Sequence, residues 1–394
     1  MSVDVPGVQR ALKEDGIDGW LLYDFQKQNP IAARLVGTPA GGGHMATRRW
    51  FYLIPAVGEP RALLHAIEAH NLDHLPGRTI LYAGRAALED GLRALLDGIG
   101  RVAMEYSPGN AIPYVSRVDA GTIELVRQSG VEVVSSGDLV QRFDGLWDAE
   151  GLASHRDASE RLYRIKDRAF EEVRRRLADG VPTTEFDIQQ QMVAWFAEEG
   201  LVADSPPNVS AQSNAGNPHY LPTATRHRAI RPDELLLIDL WGKRQAARAV
   251  FADITWVAFT GHEPPAEMAR AFGAIAEARD RAVAFVQDAA RVGRPVRGFE
   301  LDRVARQVIE EAGLGAGILH RTGHSLGEEV HGNGAHLDDY ETHDERRLMP
   351  GSIFTVEPGV YFETFGVRTE INVAWGPDGP VVTGPSQTGI IALA

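Results

Sequence analysis

The 394-residue chain contains no cysteine, which excludes disulfides, thiolate nucleophiles, iron–sulfur clusters and cysteine-held zinc together. Any metal must therefore sit on His, Asp and Glu. Long apolar runs are missing as well, since no segment approaches the roughly 18 uninterrupted residues of a membrane span. The opening Met1 to Leu12 lacks a basic region followed by an apolar one. The expectation is a cytoplasmic protein with no membrane association. Positive charge is scarce: 40 Lys and Arg face 54 Asp and Glu, and the formal charge of −14 repels a phosphate backbone and argues against nucleic-acid binding.

What is present is globular. Hydrophobic residues make up 44% of the chain and charged residues 24%, enough of each to bury a large core under a solvated surface. Single cores stop growing at roughly 250 to 300 residues, so two domains are expected. Residues 1 to about 150 alternate helical periodicity with apolar runs near Trp20, Phe51, Leu63, Met104 and Val133, and a helix-like stretch runs from Ala86 to Leu96. This predicts an α/β domain. A charged, helix-forming stretch, Ala149 to Arg176, follows without strand signals and is the natural passage into a second domain. That second part holds a weak internal repeat, in which Asp179 to Leu201 overlays Val292 to Leu314. The overlay pairs Gly180 with Gly293, Pro182 with Pro295, Phe186 with Phe299 and Gly200 with Gly313. Each copy reads as a Gly-Pro turn, a helix and a terminating glycine, so two related α/β halves are expected, with a cleft between them as the place for a site.

Acids interrupt several apolar runs. Asp239 ends LLLID and Asp253 sits in VFADITWVAF, and a buried lone aspartate is costly unless it is paired, hydrogen-bonded or metal-bound. On this pair alone, a turn cap or a salt bridge explains the acids equally well. The stretch HRTGHSLGEEVH then brings His320, His324 and His331 together with Gly323 and Gly327. Glycines beside a histidine let the backbone approach a ligand, and neutral imidazole is a common metal ligand. Glu357 closes the run LMPGSIFTVE ahead of Pro358 and Gly359, and Glu370 lies in GVRTEINVAW. Four acids on four apolar runs plus a histidine in a glycine-rich loop point to a metal site. His65, His70 and His74 fit a solvated helix or turn better than a site, and Trp241 and Trp256 read as packing residues.

In order, Asp239, FADIT with Asp253, TGHSLG with His324, FTVEPGVY with Glu357 and GVRTE with Glu370 resemble the pita-bread metallopeptidases, which include methionine aminopeptidase, Xaa-Pro aminopeptidase and prolidase. The resemblance spans roughly residues 156 to 394. Residues 1–155 resemble the creatinase-like N-terminal α/β domain of the proline-specific members, which implies an α/β (α+β) protein ending in a pita-bread domain with a pseudo-two-fold repeat. It further implies two divalent ions, Mn²⁺ first with Co²⁺ or Zn²⁺ possible. Asp239 would hold one ion, His324 and Glu357 the other, and Asp253 and Glu370 both. Carboxylates suit hard cations, and ions roughly 3.5 to 4 Å apart serve attacking and leaving oxygens jointly. His219 and His331 would hydrogen-bond substrate near the scissile carbonyl, Glu357 would shuttle a proton, and Arg368 would orient the acids. Homodimerisation and proline-containing di- or short peptides as substrates follow from the same resemblance. Prolidase is preferred to aminopeptidase P. A creatinase-type hydrolase would lack the five ligands, and a silent binding protein would have no need of them with His219 and His331.

The departures from the family bear on specificity. The stretch between Asp239 and Asp253 is longer than usual, the usual HGxG is HSLG, and the usual HExP is HGNG at His331 to Gly334. Where prolidases often carry an arginine that grips the dipeptide carboxylate, this chain has Ala335 and His336. Candidate replacements are His336, Arg346, Arg347, or Lys243, Arg244 and Arg248 on the long hairpin, with the hairpin favoured.

Overall fold

A computed structural model describes residues 3–37 and 46–394. The chain divides into two compact units, Met1–Asp144 and Gly145–Ala394, so the division falls just ahead of the charged helix-forming stretch.

The first unit runs α1 (Val5–Asp15), β1 (Gly19–Asp24), α2 (Pro30–Val36), β2 (Trp50–Pro55), β3 (Arg61–His65), β4 (Arg78–Tyr82), α3 (Arg85–Leu95), β5 (Arg101–Met104), α4 (Ala120–Arg127), β6 (Glu132–Ser135) and α5 (Gly137–Asp144). Its six strands form one sheet in the order β4-β3-β2-β1-β5-β6, with β2 antiparallel to both neighbours and the other pairings parallel. The apolar run GWLLYD is continuous because both faces of β1 are covered. Trp20 and Leu22 pack with Val8, Leu12 and Ile31 on one face, whereas Leu21 and Tyr23 pack with Leu88 and Leu92 on the other. Strand β4 adds a sixth strand to the five read from the sequence. The triad His65, His70 and His74 does not converge: the His70 ring binds Asp73 at 2.8 Å, and His74 binds the Val36 carbonyl at 2.7 Å.

The second unit begins with α6 (Ala149–Ala178) and α7 (Glu185–Glu198). Strands β7 (Leu201–Val202), β8 (Asn208–Ala211), β9 (Leu235–Arg244) and β10 (Ala252–Phe259) follow, then α8 (Ala266–Arg291), β11 (Val296–Arg297) and α9 (Gly298–Glu311). The chain ends with β12 (Arg347–Leu348), β13 (Ile353–Val356), β14 (Gly359–Tyr361), β15 (Gly366–Arg368), β16 (Ile371–Gly376), β17 (Gly379–Val382) and β18 (Ile391–Ala392). The internal repeat is visible as a long helix, a glycine turn and a short helix, twice: α6 and α7, then α8 and α9. Gly180 and Gly293 turn at φ 66° and 68°, and Gly200 and Gly313 close the short helices at φ 65° and 76°, the left-handed region that glycine enters without strain. Even the matched phenylalanines behave alike, with Phe186 stacked on His227 and Phe299 on His343.

Alternation along the β9–β10 ladder places the acids. Leu236, Ile238 and Leu240 pack with α6 and α7, while Leu235 and Leu237 face the core shared with α8, α9, β13 and β16. Asp239 continues the second row. Its ladder partner is Thr255, which sets Asp253 diagonally beside Asp239 on the same face. Among the described residues, no helix is long and apolar enough to cross a membrane.

Candidate metal centre

The five residues singled out as ligands converge from separate elements. Asp239 and Asp253 come from β9 and β10, Glu357 follows β13, Glu370 sits between β15 and β16, and His324 lies in the loop after α9. Gly323 permits that loop's approach: a Cβ there would lie 2.2 Å from the Thr355 carbonyl oxygen, so only glycine lets the loop lie against β13. The His324 amide then donates to Thr355 Oγ1 (2.9 Å), and the Thr355 amide donates to the His324 carbonyl (2.8 Å).

The donor set fits a cation. Asp253, His324 and Glu370, all buried, each offer a ligand atom within 4.8 Å of the others. His324 Nδ1 lies 3.2 Å from the Ser325 carbonyl, which places its proton there and leaves the Nε2 lone pair facing carboxylates. Nε2 stands 3.4 Å from Glu357 Oε1 and 3.7 Å from Asp253 Oδ2. Burial, with the charges of His331 and Arg321, pushes the imidazole well below its ordinary pKa, so it is neutral. Asp253 Oδ1 and Glu370 Oε1 are buried with no hydrogen-bond partner. Unsatisfied carboxylate oxygens in a dry site are costly, and a divalent ion removes that cost.

Electrostatics point the same way. Burial first, then mutual repulsion, raises Asp253 and Glu370 well above the usual carboxylate range. Burial lifts Glu357 to about 7 against the pull of Arg368 and Arg321, and Asp239 is raised less far because Arg368 pairs with it. Four carboxylates face two arginines, leaving an excess of negative charge that cations would offset.

Arg368, 4% exposed, ties this cluster together. It binds Asp239 Oδ2, donates to Thr255 Oγ1 (2.9 Å) and donates to the Tyr361 hydroxyl (3.1 Å). Thr255 in turn donates to Glu370 Oε2 (2.7 Å), and Thr355 Oγ1 lies 3.2 Å from Glu357 Oε1. Asn372 grips the backbone of Asp253 at both its N–H and its carbonyl. Thr255, Thr355, Tyr361 and Asn372 were not singled out from the sequence, although all stand inside or beside its motifs. Nor was Arg321, 7% exposed, whose charge acts on Glu357, His324 and His331.

His331 packs its ring edge-on to His324 at 4.4 Å and borders a cavity of about 510 Å³ with Asp204, Lys243, Phe251 and Val330 on its walls. His219 is exposed, its charge acts on Asp239 and His331, and the neighbouring Pro218 carbonyl accepts from Arg368 (3.5 Å). The hairpin cations separate. Lys243 borders the cavity, donating to the Glu328 carbonyl at 2.5 Å, whereas Arg244 pairs with Asp157 (2.8 Å) and Arg248 with Asp148 (3.6 Å). Arg244 also stands five positions along β9 from Asp239, about 17 Å of strand. His336 is fully buried and accepts from the Ser325 amide (3.1 Å), and Arg346 is buried against Asp344.

Comparison with known proteins agrees with this geometry. Residues 157–375 match the model of metallopeptidase family M24. An Xaa-Pro dipeptidase of Lactobacillus delbrueckii subsp. lactis is 36% identical over 163 residues, covering 41% of this chain and 40% of that protein. The chain thus aligns with less than half the length of that relative. A probable dipeptidase PepE of Mycobacterium tuberculosis is 26% identical over 339 residues, covering 84% of this chain and 81% of the relative. The crystal structure of dipeptidase PepE from Mycobacterium ulcerans superposes with a TM-score of 0.70 at 21% identity, covering all of both chains, and thereby shares the fold. With the family match extending over more than half of the sequence, the chain belongs to metallopeptidase family M24.

Proposed function

We propose that the chain is a dinuclear metal-dependent Xaa-Pro dipeptidase that hydrolyses the peptide bond before proline. The observation that carries the reading is the buried group of Asp253, His324 and Glu370, flanked by Asp239 and Glu357, with two carboxylate oxygens unpaired. The naming of the Lactobacillus relative as an Xaa-Pro dipeptidase supports the substrate class. Asp239 would hold one divalent ion, His324 and Glu357 the second, and Asp253 and Glu370 both, with Mn²⁺ preferred over Co²⁺ or Zn²⁺. When bound, such ions supply Lewis acidity and make a water acidic enough to deprotonate near neutral pH.

The chain's own residues supply the rest. Glu357, with Oε1 3.4 Å from His324 Nε2 inside the cluster, would take a proton from the attacking water and pass it to the leaving prolyl nitrogen. His219 and His331 donate to the scissile carbonyl as negative charge develops on its oxygen. Arg368 and Thr255 hold Asp239 and Glu370 in place. Lys243, on the cavity beside His331, would meet the free carboxylate of a dipeptide. The alternative, an Xaa-Pro aminopeptidase acting on longer peptides, draws support from the absence of an arginine at Ala335 and His336.

A panel of Xaa-Pro dipeptides, Xaa-Pro-Yaa tripeptides and non-proline controls, assayed with Mn²⁺, tests the reading. Cleavage of Xaa-Pro that disappears on chelation and returns with metal is expected, and no turnover with any divalent ion would refute it. Lys243→Gln should raise KM for dipeptides well above its effect on tripeptides. Equal changes move the assignment to the aminopeptidase.

A further inference from the structure

The first unit carries a cavity of about 630 Å³ unrelated to the acidic cluster. It opens at the carboxyl edge of the sheet. Strands β1, β3 and β4 all end there, because β2 is antiparallel to both β1 and β3, and β4 is parallel to β3. This is the edge at which open α/β sheets hold ligands, beside the strand from which the chain order departs in both directions. Here β1 is that strand: β2 to β4 extend to one side, and β5 and β6 to the other.

The wall is cationic and aromatic in an otherwise acidic chain. Arg48, Arg49 and Arg85 border the cavity with Asp119 as the carboxylate on its wall, and Glu68 behind it accepts from the Arg48 amide (3.2 Å). Asp119 is already engaged: it accepts from the Thr122 amide (2.9 Å) and hydroxyl (2.8 Å), capping α4, and from the Tyr23 hydroxyl (3.3 Å). The Arg48 guanidinium donates to the carbonyl and hydroxyl of Thr47, which are neutral groups. Arg85 pairs with Glu89 on the exposed surface of α3, an interaction weak enough to yield to a better anion. Gly84 opens α3 at φ 84° without a side-chain cap, and no acid stands in the first turn, so α3 itself does not neutralise that helix end. Tyr23, Phe25 and Tyr82 supply flat apolar surface between the cations.

We propose that this cavity is a binding site for a small organic anion, a carboxylate or phosphate carried on a flat ring, with Arg49 and Arg48 gripping the charge and the aromatic wall taking the ring. Guanidinium groups suit both oxyanions through paired donors, and an aromatic wall adds affinity that a bare inorganic ion cannot use.

Calorimetric titration of the metal-loaded full chain with phenyl phosphate, benzoate, inorganic phosphate and benzyl alcohol tests it. At least one aromatic anion should bind more tightly than inorganic phosphate, and benzyl alcohol should not bind. The ratio of phenyl phosphate to benzoate affinity identifies which oxyanion the site prefers. Arg49→Gln should weaken the bound aromatic anion about tenfold, and binding at the acidic centre of the second unit is insensitive to that change. If Arg49→Gln lowers Tm, the Arg48→Gln/Arg85→Gln double variant carries the same expectation on exposed positions. Aromatic anions that fail to bind, that bind no tighter than benzyl alcohol, or that bind both variants like wild type, overturn the proposal.

Discussion

Removing metal from this protein should make its stability fall as pH rises, and Glu357 allows the size to be worked out. Burial raises its carboxyl from the ordinary 4.5 to about 7. The folded chain therefore holds a proton that the unfolded chain has released. A raised carboxyl contributes stability that is full below pH 4.5 and is lost as pH climbs through about 7. Each tenfold difference in proton affinity between the two states is worth roughly 1.4 kcal/mol, so between pH 5 and pH 8 this one group loses about 2.5 kcal/mol. Glu357→Gln carries no titrating proton, so the metal-free variant should lack that part of the slope. Urea denaturation of metal-stripped wild type and Glu357→Gln at pH 5 and pH 8 measures the difference directly. Their unfolding free energies should converge or cross by that amount, and Mn²⁺ should abolish the wild-type decline. Parallel pH profiles for the two proteins would refute the placement of Glu357 in a dry anionic cluster.

Other outcomes follow from single contacts. Thr255→Val removes the hydroxyl shared by Glu370 and Arg368, and because bonds to charged groups are worth about 1.5 to 3 kcal/mol, kcat should fall at least tenfold with weaker Mn²⁺ binding by equilibrium dialysis. Gly323→Ala sets a methyl 2.2 Å from the Thr355 oxygen, and calorimetry should show a loss of roughly 1 to 3 kcal/mol together with reduced metal content. His155 is buried between the Phe251 carbonyl and the Thr383 hydroxyl, and burial lowers its pKa from 6.5 to about 4. The unfolded chain takes up the proton first, so this contribution, about 3 kcal/mol in full, is lost as pH falls from 6.5 to 4, and His155→Gln should flatten that acid limb. His219→Ala and His331→Ala should each lower kcat by roughly 10² to 10³ with metal content unchanged by elemental analysis. Loss of metal in either variant would make that histidine a ligand.

The parts of the fold legible in the sequence are those whose signal is local. Apolar runs mark β1, β2, β3 and β5, because those strands are buried largely on both faces, and β6, an edge strand, is marked only by its two valines. Strand β4 escapes because RTILY is an edge strand whose Arg78, Thr79 and Leu81 are exposed, which erases the apolar pattern. The repeat is legible because glycines at positive φ recur at matched positions. For the site, acids embedded in apolar runs are conspicuous, but the residues that knit them are not. Thr255 meets Glu370 across 115 residues, and Asn372 meets Asp253 across 119, so no spacing rule connects them. The hairpin arginines show the converse. Their charges draw the eye, yet Arg244 turns its Nη1 to Asp157 on a helix 87 residues earlier rather than toward the acidic cluster.

The span of the acidic cluster also bears on how the protein comes to be folded. Its carboxylates enter at Asp239 and Asp253 and are completed only at Glu357 and Glu370, after helices α8 and α9 and strands β11 to β13. No early fragment of the chain holds the full donor set, so an ion cannot template the fold and must wait for long-range strand pairing. Pairing of this kind is slow, and ion capture then draws on global stability rather than on any local loop. A nascent chain short of residue 370 should retain an ion no better than the unfolded polypeptide does, and refolding rates should be independent of Mn²⁺ even where the final stability is not.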